Sequence, residues 1–86
     1  MEKMTRTAHP TPGQMMRDWR RTEGERLGRG RALTQEQAAQ RIGVARSLIA
    51  GIEQGTYVPR NERVLQALYR VVGIEPSRFH SWLSAA

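Results

Sequence analysis

Residues 33–55 read "LTQEQAAQRIGVARSLIAGIEQG" and contain two short helical patterns, one on each side of Gly43. Ala38 and Ala39 lie on the inner face of the first pattern, where small side chains let a second helix cross closely. Gly43 permits the positive φ that a sharp turn requires. Ile49 begins the inner face of the second pattern. The segment therefore predicts two helices joined at a steep angle with almost no loop.

Helical periodicity and capping signals recur along the rest of the chain. Thr34 and Gln37 form a capping box at the start of the first motif helix. No segment shows the alternation of a strand, so the sequence predicts an all-α fold. The expected organisation is a flexible tail at 1–12, one domain at 13–86 with its motif at about 34–55, and a candidate dimerisation helix at 76–84. The expected helices begin near Gln14, at 35, at Arg46, after Asn61 and at Pro76.

Composition limits the function classes. The chain has 86 residues, 14 basic and 8 acidic side chains, a net charge of +6 and no cysteine. One small domain leaves little room for a catalytic cavity. His9 and His80 have no cysteine or second ligand nearby, so we expect no metal, no cofactor and no enzyme. The basic excess favours a polyanion as partner.

A helix that is held across another by one face presents its N-terminal end to solvent. This is the helix-turn-helix arrangement, in which the second helix enters the DNA major groove. Arg46 and Ser47 are at the start of that helix here. Double-stranded DNA is therefore the expected partner.

The same segment resembles a known family, the Cro and phage-repressor type of helix-turn-helix domain (XRE-like). The similarity extends over about residues 14–79. The matching positions are Leu33, Thr34, Gln35, Ala39, Gly43, Val44, Ile49, Ile52, Glu53, Gly55 and Pro59. The resemblance implies a five-helix repressor-like domain that regulates transcription, a repressor that binds a palindromic operator as a homodimer.

The resemblance also implies roles for individual residues. The base-reading positions of the recognition helix are Arg46, Ser47, Ala50 and Gly51, and an arginine there can contact guanine O6 and N7. The candidates for contact with the DNA backbone are Thr34, Gln35, Thr56, Tyr57 and Arg60. Glu53 is expected to form a structural ion pair with Arg20 or Arg21.

Three positions depart from the family pattern. Ala38 replaces a leucine, and we expect Met16 or Trp19 to fill the space. Ala45 replaces the usual Ser or Thr cap of the recognition helix, which costs about 1 kcal/mol. Leu48 takes a position that is often polar, so it is a candidate for contact with a thymine methyl group or with a protein.

Residues 22–33, "TEGERLGRGRAL", form a longer connection than the family pattern has. The two glycines of "GRGR" predict a flexible basic loop. We expect Arg29 and Arg31 to add contacts with the DNA backbone, while the alternative is a solvated loop.

A second class of function stays open at this stage. The nearly uncharged middle of the recognition helix, 48–52, also suits a hydrophobic partner, as in a helical protein–protein interaction module or an antitoxin-type regulator. Trp82 and Leu83 are expected at the dimer interface, because exposed large apolar side chains often mark contacts. We expect a cytoplasmic, nucleoid-associated bacterial or phage protein with no membrane partner and no small-molecule effector domain.

Overall fold

The structure, a computed structural model, describes residues 10–79. The helices are α1 (Pro12–Arg26), α2 (Gln35–Ile42), α3 (Arg46–Gln54) and α4 (Glu62–Val71), and a fifth helical segment occupies 76–79. No strand occurs in this part of the chain. The predicted all-α fold is confirmed. The described residues do not include Trp82, Leu83 or His9. They also leave out most of the expected tail and dimerisation helix.

Helix α1 begins earlier than the sequence interpretation placed it. The Thr11 hydroxyl accepts the N–H of Gln14 at 3.2 Å, and the Gln14 side chain accepts the N–H of Thr11 at 2.9 Å. Pro12 occupies the first turn, where its missing N–H costs nothing. The sequence interpretation includes Thr11 and Pro12 in the flexible tail, but the Thr-x-x-Gln pattern here is a capping box.

The turn between α2 and α3 has the predicted geometry. Thr34 and Gln37 form the expected capping box at the start of α2. Gly43 has a φ of 91°, in the left-handed region, and its N–H donates to the Ala39 carbonyl at 2.7 Å. Since a side chain with a Cβ resists this conformation, the glycine sets the angle at which α3 leaves α2.

Helix α3 lies at the centre of the packing. It contacts both α1 and α2, and α4 contacts α2. The buried core is formed by Met16, Ala39, Ile42, Ile49, Ile52, Leu68, Ile74 and Phe79. Met16 is fully buried, and Trp19 packs against the core while partly exposed. Both candidates for the space next to Ala38 therefore contribute to the core.

The connection between α1 and α2 is tied to α1 at two points. The N–H of Arg29 donates to the Gly24 carbonyl, and the N–H of Leu33 donates to the Arg20 carbonyl, both at 3.0 Å. A Cβ at Gly24 would lie 2.0 Å from the Arg31 carbonyl oxygen. Helix propensity disfavours a glycine at this position, but this glycine makes room for the returning loop.

The C-terminal half of the described chain closes the core. The Asn61 side chain accepts the N–H groups of Arg63 and Val64 and so caps α4, as predicted. Leu68 is fully buried, and Phe79 is 2% exposed. Phe79 therefore serves the core.

Candidate nucleic-acid interface

The inner face of α3 is fixed while its N-terminal end is open. Ile49 is fully buried and Ile52 is 3% exposed. Arg46 and Ser47, in contrast, are both exposed at the first two positions of the helix. The core therefore holds α3 by one side and presents its leading end to solvent.

The N-terminus of α3 has no side-chain cap. Ala45 is the N-cap residue, and no side chain accepts a hydrogen bond from the first turn. The Leu48 N–H bonds to the Ala45 carbonyl at 3.1 Å. The N–H groups that precede Leu48 in the first helical turn lack intrahelical partners, and such groups together with the helix dipole favour an anion.

The side chain of Arg46 lies beside the first turn of α2. Its Nε is 3.9 Å from Oε1 of Glu36, and the two side chains are 57% and 62% exposed. This distance is too long for a hydrogen bond. The guanidinium is thus close to one carboxylate but remains accessible from solvent.

The start of α2 is already organised by its own side chains. The Thr34 hydroxyl accepts the N–H of Gln37 at 3.0 Å. The Gln35 side chain is directed inward, where its Nε2 donates to Oε1 of Glu53 at 3.0 Å. An anion at this end of α2 would therefore meet backbone N–H groups and the exposed Thr34 hydroxyl, which can still donate its own hydrogen, but not the side-chain amide of Gln35.

Glu53 connects the three helices of this region. Its carboxylate accepts two hydrogen bonds from Arg20, from Nε at 2.7 Å and from Nη2 at 2.9 Å. Arg17 donates to the Glu53 backbone carbonyl at 3.0 Å. Arg21 lies elsewhere, with its Nη2 3.1 Å from Oδ1 of Asp18. Of the two arginines considered for Glu53, Arg20 is the one in contact with it.

The placement of Gly51 differs from the sequence interpretation. A Cβ at Gly51 would lie 2.7 Å from the Cβ of Tyr57. The N–H groups of Thr56 and Tyr57 both donate to the Gly51 carbonyl, at 2.9 and 3.2 Å. Gly51 therefore faces the segment that follows α3 instead of an open groove, and only Ala50, half-buried, remains beside the exposed side of the helix.

The middle of α3 offers little apolar surface to a partner. Leu48 is half-buried and packs against the core, together with Val44. Ile49 and Ile52 are buried. The hydrophobic surface that residues 48–52 suggested for a protein partner is therefore mostly used within the domain.

The other candidate backbone contacts are exposed. Thr56, Tyr57 and Arg60 follow α3, and Tyr57 is 43% exposed. Arg29 and Arg31 are exposed on the loop between α1 and α2, and within residues 10–79 neither forms an ion pair. Two connections therefore carry these side chains. The one before α2 holds Arg29 and Arg31, and the one after α3 holds Thr56, Tyr57 and Arg60.

The sequence interpretation missed the burial of Glu23. The sequence interpretation gives this residue no role, but it is 9% exposed. Arg26 donates to it from Nε at 3.2 Å and from Nη2, and Arg41 of α2 donates from Nη2 at 2.7 Å. The signal was present in the spacing, because Glu23 follows Met16 by seven residues and so shares its helix face.

The arginines change the ionisation of Glu23. The hydrogen bond from Arg26 holds the pKa of the Glu23 carboxyl below its ordinary value, and the charges of Arg26 and Arg41 act in the same direction against the opposing effect of burial. The same contact raises the pKa of Arg26. Glu23 is therefore a structural carboxylate that joins α1 to α2.

The opposite end of α3 borders a cavity of about 170 Å³. Its walls include Pro12, Ile52, Tyr57 and Phe79. The exposed Arg46 end of α3 is thus separate from this cavity.

Among residues 10–79, no three His, Cys, Asp or Glu side chains are grouped so that they could hold a metal ion.

Comparison with known proteins agrees with this geometry. A model of the helix-turn-helix domain family matches residues 13–82, most of the chain. No curated protein and no solved structure matches it. None of the helices between residues 10 and 79 has the length and apolar character needed to span a membrane. The chain belongs to the helix-turn-helix domain family, which indicates a DNA-binding regulator.

Proposed function

We propose that this protein is a sequence-specific transcriptional repressor of the Cro and phage-repressor type, which binds a palindromic operator as a homodimer in the cytoplasm. The observation that carries the proposal is the uncapped, exposed N-terminus of α3, with Arg46 and Ser47 at its first two positions. A helix that is fixed from behind and open at its leading end can enter the major groove.

Arg46 is the proposed base-reading residue. Its guanidinium is 57% exposed and has only one carboxylate near it among the described residues. Two parallel hydrogen bonds to guanine O6 and N7 would discriminate against other bases by about 1–3 kcal/mol. Ser47 and Ala50 complete the proposed reading face, and Gly51 contributes by letting Tyr57 pack close to the helix.

The proposed backbone contacts surround this face. The N–H groups at the start of α2 and the exposed Thr56, Tyr57 and Arg60 are candidates for phosphate contact, as are Arg29 and Arg31. The net charge of +6 supports a polyanionic partner. Since Leu48, Ile49 and Ile52 serve the core, the alternative of a hydrophobic protein partner on α3 has less support.

The homodimer is proposed because one recognition helix reads only a few base pairs. Symmetric half-sites about 34–36 Å apart would place two copies on one face of the duplex. Trp82 and Leu83 are the proposed interface residues. Selection of bound sequences from a random duplex library tests the site, its symmetry and its spacing together. Recovery of no enriched sequence would contradict the proposal, and an enriched but asymmetric site would contradict the dimer.

A pair of arginine substitutions separates base reading from backbone binding. We expect Arg46→Ala to weaken the selected operator by about 1–3 kcal/mol with little effect on random duplex. We expect Arg60→Ala to weaken both alike and to reduce the slope of log affinity against log salt by about 1. Fluorescence anisotropy at several salt concentrations measures both quantities. Equal losses on operator and random duplex for Arg46→Ala would contradict its base-reading role.

A further inference from the structure

Glu36 is the acidic residue closest to the proposed reading face. It lies in the first turn of α2, and Arg46 opens α3. The Nε of Arg46 and Oε1 of Glu36 are 3.9 Å apart. A carboxylate therefore stands beside the side chain that is proposed to read a base.

The ion pair between Arg46 and Glu36 is close enough to orient the guanidinium, but it is too weak to prevent the guanidinium from binding another group. At 3.9 Å the two groups form an ion pair without a hydrogen bond. Both side chains are more than half exposed, so water and salt screen their attraction. The carboxylate lies at the Nε edge of the guanidinium, and within residues 10–79 no hydrogen bond occupies the Nη groups that a guanine would use.

We propose that Glu36 is a specificity-determining residue of this DNA interface, which orients Arg46 toward a guanine and opposes binding to duplex that lacks one. The inference rests on the proposed DNA-binding function. On a matching site, the Nη groups of Arg46 bond the guanine while Glu36 stays at the Nε edge, so its charge remains paired. On random duplex the guanidinium has no guanine to bind and is free to leave Glu36 for a phosphate, which leaves the carboxylate unpaired near the phosphates at the start of α2. Specificity thus comes partly from a repulsive element.

Glu36 also has a purely structural role against which this proposal must be tested. An acidic side chain in the first turn interacts favourably with the helix dipole, whatever the partner of the protein. Glu62 provides the matched control, because it is an exposed acidic residue in the first turn of α4. Glu36→Gln and Glu62→Gln each remove one negative charge from the first turn of a helix.

The experiment measures affinity for the selected operator and for random duplex with six proteins. These are the unmodified chain, Glu36→Gln and Glu62→Gln, each with Arg46 intact or as Arg46→Ala. With Arg46 intact, we expect Glu36→Gln to raise affinity for random duplex about threefold and to lower operator affinity about threefold, within the range of exposed ion pairs. The ratio of the two affinities then falls about tenfold. In the Arg46→Ala background, Glu36→Gln leaves this ratio unchanged.

The control and the contradicting outcomes are distinct. Glu62→Gln leaves the ratio unchanged in both backgrounds, and thermal melts show that all the variants are folded at the binding temperature. An unchanged ratio for Glu36→Gln, or an equal change with and without Arg46, overturns the role of Glu36. If the unmodified protein binds no duplex at all, the proposed function itself is wrong, and this result is visible before any variant is compared.

Discussion

The two buried carboxylates among residues 10–79 are held by different kinds of partner. Glu53 is 8% exposed and Glu23 is 9% exposed. The side chain of Arg20, which binds Glu53, is itself only 17% exposed. The side chains of Arg26 and Arg41, which bind Glu23, are 58% and 41% exposed. The two carboxylates are buried to a similar extent, but only Glu53 has a partner whose side chain is also largely buried.

This difference distinguishes a buried ion pair between Arg20 and Glu53, which we call the rigid support, from a carboxylate that is bound by exposed arginines. Glu53 lies at the C-terminal end of α3, and Arg20 joins it to α1 and, through the Leu33 carbonyl at 2.7 Å, to the start of the α2 segment. If one partner of a buried pair is removed, an uncompensated charge remains in the interior. Glu23 has two arginines that reach it from the surface, so either can partly replace the other.

The largest expected effect comes from breaking the Arg20–Glu53 pair. We expect Arg20→Ala to reduce the free energy of unfolding by about 3 kcal/mol, because Glu53 stays buried without its cation. Arg21→Ala is the matched control, since this neighbour pairs with Asp18 and both side chains are 61% exposed. Its cost should be below about 0.5 kcal/mol. Urea unfolding measures both values, and similar losses for the two arginines would contradict the distinction.

An intermediate effect is expected at Glu23. Glu23→Gln keeps the shape of the side chain but removes the charge that Arg26 and Arg41 share. We expect a loss of stability that is clearly smaller than that of Arg20→Ala, because the arginines can return to water. The midpoint of urea unfolding measures it. A loss as large as that of Arg20→Ala would show that Glu23 belongs with the rigid support.

The smallest effect is a change in the pH dependence of stability. Since the pKa of Glu23 is lower in the folded chain than in the unfolded chain, its ionisation stabilises the fold above the ordinary carboxyl pKa. That contribution is lost as the pH falls through the folded-state value. Unfolding free energy should therefore decrease less in Glu23→Gln than in the unmodified protein between pH 7 and about pH 3. Parallel curves for the two proteins would contradict this assignment.

Local rules predicted the parts of the fold that depend on neighbours in sequence. The left-handed turn at Gly43 and the caps at Thr34 and Asn61 follow from backbone geometry and hydrogen bonding over three or four residues. The spacing of Ile49 and Ile52 predicted the buried side of α3, and thereby the exposed start at Arg46. The DNA-reading role of that start remains a prediction for the experiments above.

The positions that the sequence interpretation missed depend on contacts between distant segments. Helix propensity disfavours Gly24, but the approach of Arg31 decides what can stand there. Gly51 was predicted to read bases, although Tyr57 covers it. Glu23 was given no structural role, while its heptad relation to Met16 placed it inside. In each case tertiary packing outweighed the usual preference of the residue type.

The anchoring of the loop at Gly24 has a practical consequence for labelling the molecule. A side chain at position 24 would collide with the returning backbone, and one at Gly28 or Gly30 would meet no atom within 4 Å but would be strained by a φ of 73° or 75°. A dye is thus better attached in place of the exposed side chain of Arg29, because that substitution keeps the backbone N–H that bonds to the Gly24 carbonyl.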